Sequence, residues 1–224
     1  MTRTKLKDRK LPNYTKGEEI FNMVTHIIGA IIGIIALVLC IIFANKNHDV
    51  YGIVSGSIFG STMILLYTIS SIYHGLSPKL MAKKVFQVID HCTVFLLIAG
   101  TYTPLTLCAV RNYNVFLGWT MFGIIWLFAI IGIVLNAIDL KKYHVFSLIC
   151  YLGMGWTIIL LGNKITQILT LNGFILLLIG GIFYTIGSIF YILGVNKKYF
   201  HSIFHIFVDI GSLFHFLCIL LYVI

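Results

Sequence analysis

An all-α, polytopic membrane fold, a bundle of seven transmembrane helices with the N-terminus inside and the C-terminus outside, is what this sequence predicts. Three observations carry that reading. First, 59% of the 224 residues are hydrophobic and only 10% are charged, whereas a soluble domain needs about 25% charged residues to dress its surface. The mean hydropathy of +1.00 excludes intrinsic disorder on the same ground. Second, the apolar residues form long continuous runs rather than alternating ones, which excludes a β-barrel. Third, the basic residues segregate to one side of those runs.

A bilayer core of about 30 Å takes roughly 20 apolar residues per helix. The charge-poor runs are then Ile20–Ala44, Val50–Gly75, Val85–Val110, Val115–Ala137, His144–Gly162, Leu169–Gly194 and Phe200–Ile224. The connections between them are short: 45–49, 76–84, 111–114, 138–143, 163–168 and Val195–Tyr199. Residues 1–19 read as a basic cytoplasmic tail and residues 20–224 as one membrane domain. Thirteen of the sixteen Lys and Arg residues lie in the tail and in connections two, four and six; only Lys46, Arg111 and Lys164 lie opposite. The positive-inside rule therefore puts the tail in the cytoplasm and Ile224 outside, in a multi-pass protein of the plasma membrane.

The tail is not a signal peptide, because the apolar run after it is too long and lacks a small-residue cleavage pattern. Lysines that meet anionic headgroups account for the net charge of +9, so membrane lipids are the expected partners and nucleic acid is not. The five cysteines are odd in number and scattered through apolar runs, which makes them small hydrophobes rather than a disulfide framework. Gly29 with Gly33, Gly56 with Gly60, and Gly181 with Gly187 have the spacing that lets helices approach closely.

Ionisable groups inside a span cost several kcal/mol unless a function retains them. Here they converge on the cytoplasmic ends of four spans: Glu19, Asn22 and His26 in the first, Ser70 and His74 in the second, Asp90 and His91 in the third, His201 and His205 in the last. His201 and His205 are four apart and share one helix face, as do Ser70 and His74. His74, His201 and His205 form a three-imidazole set suited to Zn²⁺ with a fourth position open. Asp90 is placed to orient or deprotonate a water there, with Ser70 as a hydrogen-bond donor. Asn22 and His26 share a face with Glu19, where hydrogen bonding between helices is expected, and His91, rotated about 100° from Asp90, reads as a supporting or packing residue and not a ligand. Tyr67, Asp209 and His215 are candidates for the cavity around the site. Asp209, Ser212 and His215 continue the stripe of His201 and His205, so this face looks into the bundle. Asp209 then either lines a hydrated cavity or pairs with His215.

The series Glu19-x-x-Asn22-x-x-Thr25-His26, Ser70-x-x-x-His74, Asp90-His91, Ala99-Gly100-Thr101-Tyr102-Thr103-Pro104, His201-x-x-x-His205, Gly211-Ser212 and His215-Phe216 resembles the haemolysin III family. That family is the bacterial branch of the progestin and adipoQ receptors, and the likeness runs through the whole chain after residue 17. The resemblance implies a zinc ion held at His74, His201 and His205, as in adiponectin receptors, with Asp90 reaching it through water and Ser70 close by. It also implies kinship with alkaline ceramidases and hence hydrolysis of ceramide-type lipid amides or esters. Bacterial members are named for haemolysis and are associated with membrane-fluidity homeostasis. Asp209 departs from the family pattern, where an apolar residue is usual. Three functions follow: a zinc-dependent intramembrane lipid hydrolase, a non-enzymatic membrane sensor with structural zinc, and a pore-forming cytolysin. The last ranks lowest, since the chain has no soluble form from which to insert.

Overall fold

The structure, a computed structural model, describes residues 3–194 and 197–224. Val195, which opens the sixth predicted connection, lies outside the described residues. Among the described residues there is no strand. The main elements are α1 (Lys16–Lys46), α2 (Val50–Gly75), α3 (Met81–Pro104), α4 (Val115–Gly155), α5 (Ile165–Leu193) and α6 (Phe200–Tyr222). Five helical stretches are long and apolar enough to cross a membrane, and one of them, Val115–Leu193, is 79 residues long.

That long stretch is not one straight rod. Asp139 has a non-helical backbone (φ −157°, ψ 93°) and divides α4. Its carboxylate explains why the predicted connection 138–143 is a one-residue kink and not a loop. Oδ1 accepts from the Lys141 and Lys142 backbone N–H groups at 3.1 and 3.2 Å, so Asp139 works as an N-cap and starts the second arm at once. Further on, Thr157–Lys164 is a 3₁₀ segment with Gly162 at φ 56°, and Thr170 breaks α5 at φ 61°. The predicted connection 163–168 is therefore helical, and the backbone breaks fall on either side of it.

Helix α1 packs along α2, α2 on α3, α3 on α4, α5 along α6, and α6 back on α1, while α4 touches α5 at few places. The α1–α2 seam is tight because Gly60 has no side chain: a Cβ there would stand 2.5 Å from the Leu37 Cα. Gly29, Gly33, Gly56 and Gly187 also lie against neighbouring helices, as their spacing predicts. All five cysteines are free. An apolar cavity of about 160 Å³ remains inside the bundle, lined mainly by α3, α4, α5 and α6, with His26 of α1 and Leu66 and Ser70 of α2.

The start of α1 is fixed by a capping box, in which the Glu18 N–H donates to Thr15 Oγ1 (3.3 Å) and the Thr15 N–H to Glu18 Oε2 (2.8 Å). Glu18 Oε1 accepts from the Tyr199 N–H at 2.7 Å. One carboxylate thus joins the start of α1 to the start of α6, and Glu19 and His201 are held at the same end of the bundle.

Candidate metal centre

Three imidazoles meet at that end. His74, near the C-terminus of α2, and His201 and His205, on the first turns of α6, each offer a ligand atom, and these atoms all lie within 4.8 Å of one another. The Nε2 atoms of His201 and His205 are 3.1 Å apart, as the i, i+4 spacing requires. His74 and His205 are buried.

The set is oriented from behind. His74 Nδ1–H donates to Glu19 Oε2 at 2.7 Å, which fixes the tautomer and leaves the lone pair on Nε2. His74 Nε2 is buried and has no hydrogen-bond partner. A buried nitrogen left unsatisfied costs about 1–3 kcal/mol, so this atom is shaped for a ligand. The other Glu19 oxygen accepts from Lys83 Nζ at 2.7 Å, and Lys83 also donates to the Leu76 carbonyl at 2.9 Å. Lys83 is 1% exposed. A buried ammonium survives only with such pairing, and here it holds the carboxylate that holds the histidine.

The other predicted residues divide into those at the triad and those deeper in the membrane domain. Ser70, Asp90 and His26 line the inner cavity together with His201 and His205. The His26 ring stacks on His205 (centroids 3.7 Å, 16°) and meets Tyr67 edge-on. The hydrogen bonding expected of Asn22 and His26 is not made: both side chains are buried and their polar atoms are unpartnered. Glu19 alone on that face bridges to another helix, because the His26 ring is committed to stacking. His91 lines the same cavity as His201 without joining the triad, its Nδ1 near the Gln87 carbonyl (2.9 Å) and 3.7 Å from Asp90 Oδ2, and its Nε2 near the Tyr191 hydroxyl (3.3 Å).

Tyr67, Asp209 and His215 belong to a second cluster farther along α2 and α6. The Tyr67 hydroxyl donates to Ser212 Oγ at 2.5 Å, and the Tyr184 hydroxyl reaches the same oxygen. His215 does not pair with Asp209; its Nε2–H donates to the Leu177 carbonyl at 3.1 Å. Asp209 Oδ1 is buried without a partner.

Two contributors escape a sequence reading. Lys83 looks like one more topogenic lysine beside Lys84, yet Lys83, Gln87 and Asp90 at i, i+4 and i+7 form one helix face, and that face looks into the site. Tyr14 lies in the tail, which folds back so that its ring stacks on His201 (4.9 Å, 17°). Burial pushes the Tyr14 hydroxyl's pKa up, aided by the carboxylates nearby. The tail is fastened at its far end by the Thr4 N–H donating to Asp139 Oδ2 and by Arg3 Nε–H donating to the Ile138 carbonyl, both at 2.8 Å.

Three buried imidazoles with a free, pre-oriented nitrogen among them can hold a metal ion. Comparison with known proteins supplies the context. A family model described as haemolysin-III related matches residues 14–216. The chain is 42% identical over 208 residues to "Hemolysin-3" of Bacillus cereus, covering 92% of each. It is 41% identical over 211 residues to "Hemolysin-3 homolog" of Bacillus subtilis (strain 168), covering 93% of this chain and 96% of that protein.

Proposed function

The chain belongs to the haemolysin III family of multi-pass membrane proteins, and on that premise we propose that it is a zinc-dependent intramembrane lipid hydrolase. The substrate class is a ceramide-type amide or an ester, and the role is in membrane homeostasis. The observation that carries this reading is the unpartnered His74 Nε2, backed by Glu19, in a triad whose ligand atoms lie within 4.8 Å of one another.

The donor set favours zinc. Imidazole nitrogens suit Zn²⁺, and catalytic zinc keeps three protein ligands with one position open. Two nitrogens bound at about 2.0–2.1 Å to a tetrahedral ion stand about 3.3 Å apart, close to the 3.1 Å between His201 and His205. When bound, such an ion lowers the pKa of a water towards about 7 and polarises a carbonyl. The chain's own residues do the rest. Glu19 keeps His74 in the ligating tautomer. Asp90, on the wall of the cavity beside the triad, takes a proton from the attacking water and returns it to the leaving group. Ser70 donates a hydrogen bond to the developing oxyanion. The apolar cavity holds an acyl chain and keeps bulk water off the scissile bond.

Seven crossings fit this chemistry. At about 1.5 Å per residue, the 79-residue stretch would run roughly 120 Å, about four times the bilayer core. Its kink at Asp139 and the pair of backbone breaks at Gly162 and Thr170 mark two places to turn. With the basic tail inside, the triad lies near the cytoplasmic leaflet. A reporter fused at Ile224 should read as external; a cytoplasmic reading would overturn the count.

A non-enzymatic regulator is the second reading. It is favoured by the triad's position between α2 and α6, where a metal ties two helices together. The relatives' name points to haemolysis, and lysis of erythrocytes by purified protein added from outside tests that directly. Asp90→Asn separates enzyme from staple. The amide keeps the carboxylate's shape but accepts no proton. A hydrolase variant should retain zinc and lose about 10²–10⁴-fold in lipid turnover. Wild-type turnover or phenotype in a zinc-loaded Asp90→Asn protein would refute the hydrolase.

A further inference from the structure

The tail roofs a second, polar chamber of about 830 Å³, and its lining shares four residues with the apolar inner cavity: Asp90, His91, Tyr191 and His201. One member of the triad, His201, is therefore at the junction of an apolar compartment and a polar one, beside Asp90. A molecule that fills both has an apolar end and a polar end, with its reactive bond between them.

The chamber's charge says which polar end. Arg9, Lys10, Lys141, Lys197 and Lys198 line it, against Asp8, Glu18 and Asp90. Glu18 is occupied by Thr15 and Tyr199, and Asp90 lies at the junction with the inner cavity. Asp139, the carboxylate whose charge acts on Arg9, already accepts from the Thr4, Lys141 and Lys142 N–H groups. Arg9 is partly buried, yet among the described residues its guanidinium makes neither a salt bridge nor a hydrogen bond. Burial outweighs the attraction of Asp139 and lowers its pKa, so its lost hydration is only partly made good. Topogenic lysines face the headgroup layer. Arg9 instead lines the chamber, on a tail fastened at Thr4 and at the Thr15 cap. A guanidinium so placed matches the paired oxygens of a phosphate or carboxylate.

We infer that the site takes an amphiphile with an anionic headgroup, the charged end held in the tail-roofed chamber by Arg9 and the apolar chain lying in the inner cavity. This rests on the hydrolase reading and narrows its substrate class to amide or ester lipids that carry a phosphate or carboxylate head.

The test measures binding, so that it stands apart from turnover. Full-length Asp90→Asn protein in micelles is titrated with a ceramide carrying a terminal phosphate and with the same ceramide lacking it, both with brominated acyl chains. Trp156 lines the inner cavity, and quenching of its fluorescence, identified by its loss in Trp156→Phe, reports chain occupancy. The phosphorylated lipid should bind about tenfold more tightly, the scale of one charge-assisted contact. Arg9→Gln should erase that preference, Arg9→Lys should recover part of it, and Lys5→Gln, in the tail but outside the chamber lining, should leave it intact. Inorganic phosphate should not displace the lipid. Equal affinity for the two lipids, a preference that survives Arg9→Gln, or full displacement by inorganic phosphate would overturn the inference. Failure of the hydrolase reading shows separately, as zinc-loaded wild-type protein that binds the phosphorylated lipid and leaves it intact.

Discussion

Two polar clusters share the inward stripe of α6, and they are built on opposite principles. The deeper one satisfies most of itself: Tyr67 and Tyr184 converge on Ser212, and His215 finds the Leu177 carbonyl. The one at the tail end leaves buried atoms unpaired, among them His74 Nε2 and His205 Nδ1, while investing a carboxylate and a buried lysine in holding His74 still. Within a membrane domain, hydrogen bonds between side chains tie helices together. Oriented nitrogen lone pairs without partners serve a different purpose, since only a ligand repays the cost of desolvating them. The same helix thus carries a cluster tied mainly by hydrogen bonds, with Asp209 Oδ1 unpaired, and one whose unpaired nitrogens could hold a metal.

Substitutions should separate the two clusters. The largest effect belongs to the ligands: His205→Ala should take bound zinc from one ion per chain to below about one-tenth, because ligand loss opens the site. Metal analysis of purified protein checks this, and full occupancy after removal of both His201 and His205 would end the metal reading. Next comes Lys83→Met, which strands the Glu19 carboxylate. Breaking a buried pair costs on the order of 3 kcal/mol, whereas Lys84→Met, one residue away, should stay within about 0.5 kcal/mol. Unfolding in micelles measures both. Glu19→Gln should fold and bind zinc about 10–100-fold more weakly, since the amide holds the His74 tautomer less firmly; competition against a chelator reads that affinity. The smallest effect is expected in the deeper cluster, where Ser212→Ala should cost about 0.6 kcal/mol and leave zinc unchanged. Zinc loss in Ser212→Ala would mean that the two clusters act as one.

Much of the site is legible in the sequence because α-helical spacing carries it. His201 and His205 fall on one face by arithmetic alone, and a histidine or aspartate within an apolar run is conspicuous. Lys83 is not conspicuous. It lies in a basic connection, and the positive-inside rule explains it before any contact is sought. Only its i+7 relation to Asp90 marks it out. Tyr14 is illegible for another reason, as nothing local in a polar tail says that it folds back onto His201. The break at 138–143 is legible from its charge but its shape is not, because Asp139 caps the next arm of α4 and makes a one-residue kink where a loop is expected. That the apolar runs are helical is legible, since a bilayer leaves so few alternatives.

The central claim, that three imidazoles at the tail end of the bundle hold one zinc ion, is tested most directly by X-ray absorption at the zinc edge on protein purified without added metal. The expected spectrum has three imidazole nitrogens at about 2.0–2.1 Å with one further light ligand, and it should lose its imidazole signature in His74→Ala. Protein without zinc, or zinc with no imidazole scattering, would contradict the account.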